Sequence, residues 1–295
     1  MTDAPRLVLG ADTLCWHLRL EGGDLSLEDL LQETSDAGGE YVQLTLHHAR
    51  ERTPADLEQL ARRAGDLGMR VLASGDFMGG ARFGDAPETA LDRVRGWLER
   101  AVALGSESLR VTSSFYRADL GGIPGAIEAE RRWAIAALQT ALPAAHEAGV
   151  TLALENHSDF TAAEYRSILE EVGDERVAMF LDVINPVAAL EDPVPVVEHL
   201  APFAVAGHVK DYLLESIYND DGYHRRGFSV LYRYPGEGVA DLPALWAALA
   251  AGLRGRELPL AVEGLDNRGD VRDQVDRLTS ALRHLRELSR APAEA

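Results

Sequence analysis

Several short apolar runs in this chain end on a residue that can bind a metal ion. Leu152-Ala153-Leu154 runs into Glu155, Ala178 to Leu181 into Asp182, Val205 to Gly207 into His208, and Ala261-Val262 into Glu263. Carboxylates brought to one point raise one another's pKa, and they stay ionised together only beside a compensating cation. A divalent ion is the simplest such cation. One imidazole with three carboxylates and no thiolate is an oxygen-rich donor set, which suits Mn2+ first, with Mg2+, Co2+ or Zn2+ as alternatives. Each residue alone could equally sit in a strand-end salt bridge or a structural hydrogen bond. It is the recurrence at the ends of successive runs that favours a shared ion.

Those runs belong to a module that repeats along the chain: an amphipathic helix, a glycine where it stops, then a short stretch rich in Val, Leu and Ala. The alternation predicts a parallel sheet covered by helices. Gly38, Gly68, Gly105, Gly149, Gly173 and Gly252 are the expected helix stops, because glycine takes the left-handed conformation without a Cβ penalty. Helix starts are expected at the capping-box pattern Thr161-Ala162-Ala163-Glu164 and near Pro54, Pro87 and Pro243. The expected strands are Leu7–Ala11, Tyr41–Leu46, Arg70–Ser74, Ser108–Thr112, Thr151–Glu155, Val177–Asp182, Ala204–Val209 and Leu258–Glu263. Eight such strands with no second block of composition predict an α/β chain forming a single (β/α)8 TIM barrel over residues 1–295. In that fold the active site lies at the C-terminal ends of the strands, where neighbours about 4.8 Å apart can direct side chains to one point. The segment from Asp211 to Gly238 reads as a long irregular loop, a lid or binding loop, and residues 290–295 as a disordered tail.

Acidic residues outnumber basic ones 48 to 29, a net charge of −19, so the average field repels nucleic acid and anionic membranes. No apolar run approaches the roughly 20 residues of a membrane span. The one cysteine, Cys15, has no partner within the chain, and the N-terminus lacks a secretory pattern; a cytoplasmic location is expected. The expected partner is a small-molecule sugar or polyol, taken up by a homo-oligomer or together with an accessory subunit.

The strings Leu154-Glu155-Asn156-His157, Leu181-Asp182-Val183-Ile184-Asn185 and His208-Val209-Lys210-Asp211, with Glu237 in Pro235-Gly236-Glu237-Gly238 and Glu263 closing the last strand, resemble the xylose isomerase-like superfamily of sugar phosphate isomerases and epimerases. The resemblance covers nearly the whole chain. It implies one divalent metal held by Glu155, Asp182, His208 and Glu263, with the two glutamates also serving as acid and base in the ketose epimerase branch. Departures matter too. Ketose 3-epimerases carry a histidine and an arginine where this chain has Asn185 and Leu214. The AP endonuclease branch would want histidines at Asn185 and where strands three and four run into Asp76 and Ser113-Ser114. A DNA-repair role is therefore not expected.

The chemistry shared by the remaining branches begins with removal of a proton next to a carbonyl, eased by a Lewis-acidic ion and carboxylates on two faces. Reprotonation yields an epimer or an isomer; loss of a β-oxygen yields an eliminated product. Glu155, Glu263, His157 and Lys210 are the expected catalytic residues, His157 being equally suited to orient Glu155. Asn185, Trp16, His48, Asp76 and Asp211 are the expected substrate contacts, although Trp16 could instead be a core aromatic and Asp211 could simply open the following loop. No Gly-rich phosphate motif is present, so a neutral keto sugar is expected. A lyase such as an inosose dehydratase or 3-keto-glycoside eliminase is the alternative, and a noncatalytic sugar-binding subunit the second.

Overall fold

The computed structural model describes residues 6–113, 115–264 and 273–290. The barrel strands are β1 (Leu7–Asp12), β2 (Tyr41–Thr45), β3 (Arg70–Phe77), β4 (Ser108–Thr112), β5 (Thr151–Glu155), β6 (Val177–Asp182) and β7 (Ala204–Val209), closed by β10 (Leu258–Val262). Every neighbouring pair is parallel, and β10 joins β7 to β1, so no barrel edge is left unpaired. The helices α1 (His17–Glu21), α2 (Leu27–Asp36), α3 (Pro54–Asp66), α4 (Pro87–Ala103), α5 (Arg117–Leu120), α6 (Ala126–Ala148), α7 (Ala162–Val172), α8 (Pro193–Leu200), α9 (Leu242–Leu253) and α10 (Gln274–Arg290) connect and cover the strands.

Alternation along the strands makes two cores. Leu9, Val42, Val71, Leu109, Leu152 and Met179 pack outward against the helices, while Val8, Tyr41, Leu72, Ala153, Phe180, Ala206 and Ala261 fill the barrel. The inward set steps by two along each strand. From Ala153, Phe180, Ala206 and Ala261 the next inward positions are Glu155, Asp182, His208 and Glu263, so the polar residues stand over the interior plug.

Local signals act as the sequence predicts in most places. Thr161 and Glu164 make a reciprocal capping box at the start of α7, and Gly173 ends it with φ of 65°. Gly252 is a correction. It lies inside α9, which ends one residue later with Arg254 in the left-handed region. A Cβ on Gly252 would stand 2.6 Å from the Ala201 Cβ, so this glycine serves close packing.

The expected irregular stretch from Asp211 is also corrected. It forms an antiparallel hairpin of β8 (Asp211–Tyr218) and β9 (Arg225–Arg233), apart from the barrel sheet. Both faces of its outer half are exposed, with Leu214, Ile217 and Phe228 open to solvent, so no apolar alternation marked it as strand. Arg290 closes α10, and the rest of the expected disordered tail, 291–295, lies outside the described residues.

Candidate active site

Strand register brings the four strand-end residues together. Asp182 on β6 and His208 on β7 are direct partners, and all four side chains are buried. His208 Nδ1 lies 3.4 Å from Glu155 Oε1, 3.8 Å from Asp182 Oδ2 and 3.5 Å from Glu263 Oε1. Its Nε2 lies 3.0 Å from Asp12 Oδ2. Asp12 ends β1 and also accepts from Leu14 N–H, which fixes it at the turn. A carboxylate behind a histidine sets the tautomer and aims the other nitrogen.

Two cations stand among these carboxylates: Lys210, expected as a catalytic residue, and Arg110, which carried no expectation. Arg110, inward on β4, donates from Nε to Glu155 Oε2 at 2.7 Å and from Nη1 to Ser74 Oγ at 2.7 Å. Lys210 donates to Asp182 Oδ2 at 2.6 Å and also to Glu263 Oε2; its ammonium lies 4.5 Å from the centre of the Tyr232 ring. The expected need for a divalent ion to balance the carboxylates is therefore corrected: the chain supplies part of the balance itself. Neither Arg110 nor Asp12 was marked by position: the inward register of β4 is polar throughout, Ser108, Arg110 and Thr112.

Charged neighbours, acting against burial, set the charge states of these groups in the metal-free protein. Burial alone would raise the Glu155 pKa, but Arg110 and His208 hold it well below the usual carboxylate range. Burial is likewise outweighed at Glu263, which Lys210 and His208 bring down to about 2. His208 is disfavoured as a cation by burial, yet Glu263, Asp12 and Glu155 push its pKa up to about 10.

The fit to a metal rests on atoms left over. Glu155 Oε1 and His208 Nδ1 are both buried and have no hydrogen-bond partner, which is costly for polar groups removed from water. Donor atoms of Glu155, Asp182 and His208 all lie within 4.8 Å of one another. With His208 neutral, a divalent ion would also balance the charge of the Asp12, Glu155, Asp182 and Glu263 carboxylates against Arg110 and Lys210. The residues fit such an ion.

The other expected residues divide. His157, half-buried past the end of β5, faces the rings of Phe77 and Tyr116 at 5.5 and 5.3 Å, and its buried Nδ1 is unpaired. Ser158, next to it, holds φ of 64°, a strained conformation of a kind that collects at functional sites. Asn185 is buried, and its amide donates to Asn156 O and accepts from the Tyr232 hydroxyl; it thus anchors the hairpin tyrosine rather than presenting a free amide to substrate. Asp211 is corrected from a substrate contact: it is buried and accepts from the backbone N–H groups of Gly236, Gly238 and Ala240, closing the hairpin base. Trp16 is corrected likewise, being fully buried with its indole N–H donating to Glu33 on α2. Asp76 is exposed and accepts from Phe77 N–H at the β3 bulge. His48 lies at the rim beside His17; burial first, then His17, pushes its pKa down to about 4 against the pull of Asp12, leaving the ring neutral.

Comparison with known proteins agrees with the fold. A family model described as xylose isomerase-like TIM barrel matches residues 31–288. The 3-oxo-isoapionate decarboxylase of Pectobacterium atrosepticum is 27% identical over 243 residues, covering 81% of this chain and 79% of its own. An IolI protein with a binding zinc atom superposes with a TM-score of 0.71 at 16% identity, over 95% of this chain and 98% of that one. D-psicose 3-epimerase with D-tagatose from Clostridium cellulolyticum H10 superposes at 0.68 and 13% identity, over 90% and 95%.

Proposed function

This chain belongs to the xylose isomerase-like TIM-barrel family, and from that premise we propose that it is a divalent-metal-dependent isomerase or epimerase acting on a small keto sugar or polyol. The observation that carries the reading is the pair of unpartnered buried donors, Glu155 Oε1 and His208 Nδ1, facing Asp182 and Glu263 at the barrel mouth. We take Mn2+ as the resident ion, held by Glu155, Asp182, His208 and Glu263. When bound, it supplies Lewis acidity to the substrate carbonyl and a neighbouring hydroxyl.

The chain's own residues then handle protons and oxygens. Glu263 and Glu155 stand on two faces of the substrate as ionised bases, and the one that takes the proton from carbon becomes the acid that returns it. Lys210 donates to the oxygen that gains charge as a proton leaves the neighbouring carbon; its position between Asp182 and Glu263 keeps it charged and close. His157, with an unused nitrogen beside Phe77 and Tyr116, binds substrate hydroxyls or carries a proton.

A second reading, a lyase, is favoured by one specific contact. The Arg110 guanidinium is bonded to Glu155, and a carboxylate so held is a weak base for a two-faced proton exchange. Loss of carbon dioxide from a 3-oxo sugar acid generates the same enediolate with no base at all, and then needs only a proton donor such as Lys210. The decarboxylase relative supports this reading.

The test is to incubate Mn2+-loaded protein with free ketoses, 3-keto sugars and 3-oxo sugar acids. Interconversion at constant composition supports the first reading, and carbon dioxide release supports the second. Tight metal binding with no turnover of any of them would overturn both in favour of a binding subunit.

A further inference from the structure

A second group of metal-ligating side chains lies at the rim, on turns after β1 and β2 that the proposed reaction does not use. His17 opens α1, Glu21 closes it, and His47 and His48 lie in the short turn Leu46–Ala49. His17 Nδ1 and His48 Nε2 face each other at 2.9 Å. One donor atom from each of His17, Glu21 and His48 lies within 4.8 Å of the others. His47 stands beside them, its Nε2 3.3 Å from Glu21 Oε1 and its ring 5.9 Å from that of His48. We propose that His17, His48 and Glu21, with His47 adjacent, form a second metal site that takes a borderline divalent cation such as Zn2+.

The backing of the site is already in place. His48 Nδ1 lies 2.8 Å from Thr13 Oγ1, and that hydroxyl accepts from Thr45 N–H at 3.0 Å. A second-layer oxygen on one imidazole nitrogen fixes the ring and leaves the other nitrogen to a metal. Two nitrogens on a tetrahedral zinc, with Zn–N of about 2.0–2.1 Å, stand roughly 3.3 Å apart. The His17 and His48 nitrogens need to open by only a few tenths of an ångström. Arg50 competes for Glu21, with Nη1 2.9 Å from Oε1. Both side chains are substantially exposed, and such a pair is weak enough for a metal to displace.

Donor chemistry separates the two sites. The buried centre is dominated by carboxylates and suits a hard ion, whereas the rim offers imidazoles with one carboxylate and suits Zn2+, Ni2+ or Cu2+. The rim also shares its turn with the buried centre, since Thr13, which backs His48, follows Asp12, which backs His208. Zn2+ at the rim would hold this turn in place.

The test counts Zn2+ bound to the full-length protein by equilibrium dialysis and elemental analysis at about 10 μM free ion. The wild type should bind two equivalents, the Glu155→Gln/His208→Ala variant one, and the His17→Ala/His48→Ala variant one. Gentler His17→Gln and His48→Gln single changes, with circular dichroism as a check on folding, should each weaken the rim equivalent at least tenfold. One equivalent in the wild type, kept when His17 and His48 are replaced, would overturn the proposal. One equivalent that survives Glu155→Gln/His208→Ala and vanishes with His17→Ala/His48→Ala would uphold this site and remove the buried one.

Discussion

Arg110 and Glu155 form an ion pair inside the barrel, Nε to Oε2 at 2.7 Å, with the arginine side chain 8% exposed and the glutamate not at all. The pair places a fixed cation directly against a residue expected to bind metal. It leaves Oε1 free for that purpose while committing Oε2 to the protein.

Removing the cation should therefore cost more without metal than with it. Arg110→Leu leaves a buried carboxylate uncompensated, a loss of about 3–5 kcal/mol. Denaturant unfolding of the metal-free variant should show a loss of that size, and saturating Mn2+ should recover part of it. A loss that Mn2+ leaves unchanged would mean that the ion does not sit against Glu155.

Metal binding should release protons. In the metal-free protein the His208 pKa is raised to about 10, so the ring is protonated at pH 7 to 8 and must lose its proton to become a ligand. Affinity should thus rise about tenfold per pH unit across that range and flatten above pH 10. The same raised pKa gives the metal-free fold stability that is full below pH 6.5 and is lost as pH rises through about 10. Calorimetry in buffers of different ionisation heat measures the released proton. Affinity that does not vary with pH would contradict the assignment of His208.

Asp12→Asn keeps a side-chain oxygen at the head of the turn, where Asp12 now accepts from Leu14 N–H, but removes the charge behind His208. Metal affinity should fall about 10–100-fold, the usual effect of losing such a partner, and the metal-free fold should lose part of the stability that the raised His208 pKa provides. An unchanged affinity would show that His208 does not need Asp12 to hold its aim.

Lys210→Met should separate metal binding from turnover. If the ammonium stabilises charge on substrate oxygen, turnover should fall about 10²–10³-fold while one Mn2+ per chain is retained. Loss of the ion together with activity would instead make Lys210 a support for Asp182 and Glu263.

The barrel was legible because its strands are buried on both faces and its helices carry ordinary stops and starts. Thr151–Glu155, Val177–Asp182 and Ala204–Val209 were readable to the residue, because each is an apolar run with the polar group that reaches the mouth at its last or, in Ala204–Val209, its last but one position. The hairpin was not legible, since a ribbon exposed on both faces has no hydrophobic period to display. Among the site residues, strand ends could be named from position alone. Arg110 could not, because its meaning depends on the strand beside it, where Glu155 stands. Trp16 and Asp211 show the converse limit. Position at the mouth does not say which way a side chain turns, and these two turn toward α2 and the hairpin base.

The central claim is that the four strand-end residues hold one catalytic metal. Its most direct test is the Mn2+ content of protein loaded and dialysed at pH 8, set beside folded Glu155→Gln/His208→Ala. The account predicts about one tightly held Mn2+ per chain in the wild type and almost none in the variant, with turnover lost in parallel. A wild type that retains no Mn2+, or a variant that retains as much as the wild type, would contradict it.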